Sequence, residues 1–566
     1  MLKLYDTGIY LVDGEKIVTD PAQLPANVTK EEASKGTMAY GILKAHNTVD
    51  DMENLKLKYD SMTSHDITYV GIIQTARASG MKEFPLPYVL TNCHNSLCAV
   101  GGTINEDDHK FALSAAHKYG GIYVPTNLGN IHSVNRELMA GCGKMILGSD
   151  SHTRYGALGT LAVGEGGGEL AKQLVGRTYD FKRPGVIAIY LTGKPRPGVG
   201  PHDVALTLVG ETYKNGYVKN KVMEFVGPGV ANLPIEYRNA IDVMTTETTC
   251  WSSIWVTDEE TKRYFTVHGR PQDYKKMAPA PITYYDGCVY VDLAKIECTI
   301  AMPMHPSNIY TIHELQENAA DILHICEENA NKQLKKVKMD LSSKLKNGAV
   351  WVEQGEIAGC SGGTYDSICA AADILKGRSI GNGAFSLSVY PGSMPALASL
   401  IKTGRAFDLV SAGVLLRECF CGPCFGAGHQ LGIGVEIVDK GAGKANICFI
   451  TIAEPDIQQV GRQGLEVYAP HVVKHLLLCR FIISQQIVDV EIATIVGPVV
   501  VSAFVLHDVN ATHGAIVPQA ATVQVDAVGV DTLRVRALQR GVGHQRLIVS
   551  RDVTHRTWPA RSHRGI

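Results

Sequence analysis

Three cysteines carry the most legible chemistry of this chain: Cys360, and Cys421 with Cys424 in the run Cys-Gly-Pro-Cys. One thiol and a distant close pair can hold three corners of an iron–sulfur cube, leaving the fourth iron open. An open iron is a Lewis acid, so the pattern points to bond-making chemistry rather than electron storage. Cys-x-x-Cys alone is shared with redox and zinc sites. Zinc would need a fourth ligand; Cys419 is available, although no His/Cys pair completes a finger spacing. Glycines flank the thiols in Ile-Ala-Gly-Cys-Ser-Gly-Gly and Cys-Gly-Pro-Cys-Phe-Gly, so backbone amides can approach the sulfurs.

A second constellation is Gly148-Ser149-Asp150-Ser151-His152-Thr153, followed by Gly156, Gly159 and Gly166-Gly167-Gly168. Asp150 and His152 at a strand end would point to one side, where carboxylate and imidazole can hold a proton or orient a metal-bound hydroxyl.

These groups need a scaffold. With 566 residues, 45% of them hydrophobic and 19% charged, the chain suits several globular domains rather than one core. Residues 1–195 alternate β-rich runs (Ile67 to Gln74, Lys144 to Leu147, Val186 to Thr192) with helical stretches such as Asp107 to Lys118, the signature of an α/β layer. Gly193 to Pro201 is a plausible boundary loop before a second α/β unit, 196–320. A third unit, 321–428, continues the charged helical stretch Glu314 to Lys346, whose Lys335, Lys336 and Lys338 read as a solvated helix face. A strand over Ala349 to Ile357 then delivers Cys360, and Ser367 to Leu375 reads as the next helix.

Net charge of −2 gives no reason to expect nucleic acid or an anionic membrane. The longest apolar run, Ile492 to Leu506, is broken by Gly497-Pro498 and suits buried strands. Fourteen cysteines without a secretion signal point to free thiols in a reducing, cytoplasmic setting, with Cys142, Cys250, Cys288 and Cys298 as small apolar residues.

The motifs together resemble the aconitase superfamily of iron–sulfur dehydratases, which includes the isopropylmalate isomerases, over roughly residues 40 to 428. Asp-Ser-His-Thr and Cys-Gly-Pro-Cys-Phe-Gly match closely; the first cysteine motif has Cys-Ser-Gly where the family has Cys-Thr-Asn. The chain most resembles an uncharacterised hydratase branch. The resemblance implies three α/β domains around a central cleft, a 4Fe-4S cluster on Cys360, Cys421 and Cys424, and a hydroxy-carboxylic acid substrate. It further implies catalytic roles for Asp150, His152, His132, Glu247 and His94, and substrate contacts from Gln74 and Ser151. Cys93 stands where the family has the Asp of an Asp-His pair, removing a carboxylate that would orient His94. A second implied class is a cluster-based iron or redox sensor that binds RNA, to which the basic last residues lend some support.

The resemblance stops near Gly428. Residues 429–566 hold 10 Arg and 3 Lys, whereas residues 1–428 hold 12 Arg and 29 Lys, and Tyr468 is the one tyrosine of the tail. The family's carboxylate-clamping arginines and its Gly-Ser-Ser-Arg-type loop have no counterpart there; Ser550-Arg551 reads as a strand end. Two accounts fit. The mobile domain is a separate small subunit, or the reading frame shifts near Gly428-His429 and leaves an atypical tail. The second expects family-like Arg segments in another frame of the gene.

Overall fold

The structure, a computed structural model, describes residues 2–94, 103–334, 338–352, 354–383 and 385–425, together with short strands beyond them. Its first body spans Met1–Glu466 and its second Val467–Ile566. The first is mixed α/β, with three sheets whose strands run mainly parallel.

The first sheet has the strand order 122–124, 88–91, 61–65, 145–148, 161–164, all parallel. Met145–Gly148 is buried throughout, as expected of a strand covered on both faces. The central strand Ser61–His65 is equally buried although it reads Ser-Met-Thr-Ser-His. Polar side chains in a central strand need partners: Asn135 donates to Thr63 Oγ1 (2.7 Å) and so ties the helix Ile131–Leu138 to the sheet. The expected β-run from Ile67 to Gln74 is instead the helix Tyr69–Ala78. Its buried residues, Tyr69, Ile72, Ile73 and Ala76, recur at helical spacing, which outweighs their β-prone composition.

The second sheet runs 2–5, 287–292, 186–192, 222–226, 252–255, with the first strand antiparallel to its neighbour. The loop 193–201 therefore joins one strand of this sheet to the helix Pro201–Thr212, and the expected boundary at 195/196 falls inside the sheet. Asp242, fully buried, ties this layer to the Asp150 loop. It accepts hydrogen bonds from Gly156 N–H (2.7 Å), Ser253 Oγ (2.7 Å) and Trp255 Nε1 (2.8 Å).

The third sheet is parallel, 354–357, 386–389, 415–416. Ala349–Val350 belongs to a separate two-residue hairpin, so the expected strand delivering Cys360 shortens to Gln354–Ile357. The helical stretch expected to Lys346 ends at Gln333. Asn331 and Glu327 then take hydrogen bonds from the returning backbone at Met339, Leu341 and Ser342. Lys338 is exposed beyond the helix, and Lys335 and Lys336 lie outside the described residues. The third layer docks on the first through Asn130 N–H to Gly392 O (2.9 Å), Met394 N–H to Leu128 O (2.9 Å) and Ser393 Oγ to Glu137 (2.5 Å).

In the second body, Leu477–Ile483 pairs antiparallel with Gln486–Ile492, and 500–503, 521–527 and 533–537 form an antiparallel sheet. Ser550-Arg551 lie outside the described residues. Among the described residues, no helix is long and apolar enough to cross a membrane.

Asp242→Ala would strand three buried donors. We expect a loss of about 3 kcal/mol or more, read as a lower urea midpoint, with Asp242→Asn losing less.

Candidate active site

The sequence around Asp150 folds tightly on itself. Thr153 Oγ1 donates back to Asp150 O (2.7 Å) and lies so close to Gly148 that a Cβ there would sit 2.1 Å from it. A Cβ on Gly164 would meet Asp150 O at 2.3 Å. Thr68 and Ser149 hydroxyls, 2.6 Å apart, hold the turn to the neighbouring loop. The glycines of the motif thus let the carboxylate emerge at the carboxyl end of the strand Met145–Gly148, where open parallel sheets place ligands.

Four imidazoles converge on Asp150. His132 Nε2–H donates to Oδ1 (3.0 Å) while Tyr155 O–H donates to its Nδ1 (3.1 Å), which sets the tautomer. His152 donates its backbone N–H to Oδ1 (2.7 Å) and places its ring Nδ1 3.6 Å away. His94 Nε2 lies 3.3 Å and His65 Nε2 3.7 Å from Oδ2. The rings of His65 and His94 stack with centroids 3.8 Å apart. His152 Nε2 also reaches Glu247 Oε1 (3.0 Å), and Ser151 Oγ lies 3.3 Å from His152 Nδ1 at the rim.

Charge divides unevenly over this cluster. Burial opposes the charge on Asp150, yet His132 and the hydrogen bonds from His132, His152 and His94 hold its carboxyl well below the usual range. Burial likewise opposes a charged His152, but bonds to Asp150 and Glu247 push its pKa up to about 10. Burial takes His132 down to about 4 and, with the neighbouring His94, takes His65 down to about 3. At neutral pH His152 is the imidazolium, lying between two carboxylates.

The thiols gather next to this ring. Cys360 lies in the short helix Gly359–Gly362, its carbonyl fixed by Arg136 Nη1 (2.7 Å). Gly359 adopts φ +81°, and a Cβ on it would meet Cys424 Sγ at 2.5 Å, so the two cysteine segments close on each other only with glycine there. Cys421 donates its N–H to Cys93 O (2.8 Å). Cys421 and Cys424 share a hydrogen bond that pushes Cys424 down and Cys421 up, and the His152 charge also favours the Cys424 thiolate. Burial pushes Cys360 up to about 12, so metal loading would displace its proton.

Asp150, His152, His132, His94, Glu247 and Ser151 are therefore brought together, as are the three cysteines. Gln74 is not: it is exposed on the outer face of the helix Tyr69–Ala78. Sequence reasoning missed His65, Asp66, Tyr155 and Arg136. Polar His65-Asp66 at the end of a central strand was the available signal.

His152 has a folded pKa above its ordinary 6.5, so its pairing stabilises the fold fully below pH 6.5 and fades as pH rises through about 10. Asp150, with a depressed carboxyl, contributes above its ordinary range and loses that contribution on acidification. Glu247→Gln removes one partner and should lower the His152 pKa by roughly 1–2 units, followed through its ring resonances in a pH titration.

The Aconitase family (aconitate hydratase) model matches residues 40–452, further than the motifs alone reach. A 3-isopropylmalate dehydratase large subunit from Moorella thermoacetica is 27% identical over 402 residues, covering 70% of this chain and 87% of that protein. A 2,3-dimethylmalate dehydratase large subunit from Eubacterium barkeri is 28% identical over 331 residues, covering 58% and 68%. The mitochondrial aconitate hydratase of Saccharomyces cerevisiae is 26% identical over 392 residues, covering 66% of this chain and 47% of that protein, so the chain spans under half of that relative. The chain belongs to the aconitase family of hydro-lyases.

Proposed function

We propose that this chain is a dehydratase for a hydroxy-carboxylic acid, built as α/β layers around one cleft. A 4Fe-4S cluster is held by Cys360, Cys421 and Cys424. The observation that carries this reading is the meeting of three thiols with a carboxylate ringed by imidazoles. The donor set fits the cluster: it is all sulfur, the Gly359 backbone leaves room for Cys424, and Cys419, the further thiol that zinc would require, has Glu137 and Glu418 as its charged neighbours.

When bound, the cluster supplies an open iron that polarises the substrate hydroxyl. The chain's own residues move the proton. His152, held as imidazolium between Asp150 and Glu247, delivers it to the departing hydroxyl, and Asp150 stabilises the charge as it passes. His132, kept neutral and donating to Asp150, fixes that carboxylate, with Tyr155 fixing His132. Ser151 orients His152 and meets the substrate at the rim. The relatives named as large subunits support placing the base for the α-proton on a separate small subunit. Eleven free cysteines among the described residues favour a reducing, cytoplasmic setting.

Anaerobic purification with iron and sulfide quantification tests the cluster, and Cys421→Ser should abolish it. Stoichiometric zinc in place of iron would sink the reading. With 3-isopropylmalate, 2,3-dimethylmalate and aconitate as probes, and a small subunit supplied, Asp150→Asn should lower turnover roughly 10²–10⁴-fold at unchanged iron content.

A further inference from the structure

We propose that Asp66 is the positioning carboxylate of His94, supplied from the end of the central strand of the first sheet. Position 93, next to the imidazole, offers only a thiol: Cys93 Sγ lies 3.2 Å from His94 Nδ1 and is a weak hydrogen-bond partner. Asp66 reaches the same edge of the ring from behind. Its Oδ1 accepts the backbone N–H of Cys93 (3.3 Å) and of His94 (2.8 Å) and stands 4.0 Å from His94 Nδ1. Its Oδ2 lies 3.3 Å from His109 Nε2, on the helix Thr103–Tyr119.

Asp66 is 1% exposed, and a carboxylate that deep is retained only where donors and nearby positive edges compensate it. Here the backbone N–H groups of Cys93 and His94 supply part of that compensation and His109 another part. The other edge of the ring faces Asp150 Oδ2 at 3.3 Å, and its face is covered by His65 at 3.8 Å. The imidazole is thus clamped on its face and held between two carboxylates. Asp66 keeps Nε2 aimed at Asp150 and favours positive charge on the ring as a proton passes. This rests on the proposed proton-transfer role of Asp150.

Asp66→Asn keeps an acceptor for both backbone N–H groups and removes the charge. Its kcat should fall roughly 10–100-fold with KM little changed. Adding Cys93→Asp puts a carboxylate within reach of Nδ1 and should recover most of that loss. A purely structural role for Asp66 predicts no such recovery, and an Asp66→Asn enzyme with unchanged kcat, or a double variant no faster than it, overturns the proposal. A second measurement is independent of turnover. In protein carrying [15N]histidine, the ring signals of His94, assigned by their loss in His94→Gln, should move in Asp66→Asn while those of His132 stay; unmoved His94 signals overturn it. If the wild-type enzyme turns over none of the acids, the functional reading fails and these spectra alone decide the role of Asp66. Should Asp66→Asn not fold, His109→Gln takes its place: moved His94 signals support the proposal, and unmoved ones overturn it.

Discussion

The carboxylate of Asp150, 13% exposed, is the constraint on which the site depends. An ionised group this deep is expensive unless its neighbours compensate it. Four histidines surround it, but they cannot all carry charge, because His65 and His94 stack at 3.8 Å and like charges that close repel. The proton therefore settles on His152, whose side chain is the most exposed of the four at 35% and whose second carboxylate, Glu247, lies within hydrogen-bond distance at 3.0 Å. One ion-paired imidazolium beside the neutral rings of His65 and His132 is an arrangement that can release a proton at one defined place.

That arrangement is assembled across layers. Asp150, His94 and His65 come from strand ends of the first sheet, Glu247 from the turn after a helix of the second, and the thiols from loops of the third. Arg136 binds them by donating to Cys360 O (2.7 Å) and Asn239 O (3.2 Å), so one buried guanidinium from the His132 helix touches both other layers. Its planar fork of donors suits such a junction in a way that a lysine would not.

Much of this was legible in the amino-acid sequence because local signals agreed. The cysteines, the Asp-Ser-His turn and the strand Val186–Thr192 all combine a steric requirement with a chemical one within a few residues. His65 and Asp66 were missed because their importance comes from neighbours 27 to 85 residues away in the chain. Gln74 was misplaced for the opposite reason: its segment looked β-prone locally, while the period of its buried residues was helical and turned Gln74 outward. The domain boundary after Thr192 misled because a Gly- and Pro-rich loop marks a change of direction, which within a parallel sheet need be no more than a crossover.

The charge balance also sets what the described residues are suited to do. Asp150 and Glu247 against one imidazolium leave a net negative charge around His152. The buried arginines beside the site are committed elsewhere: Arg136 to Cys360 and Asn239 carbonyls, Arg154 to those of Thr153 and Cys250. Carboxylate recognition calls for bidentate guanidinium donors that are free to turn toward a ligand. Neither of these two guanidiniums can turn in this way while it holds those carbonyls. The site's own residues are suited to steering a proton rather than to clamping an acid.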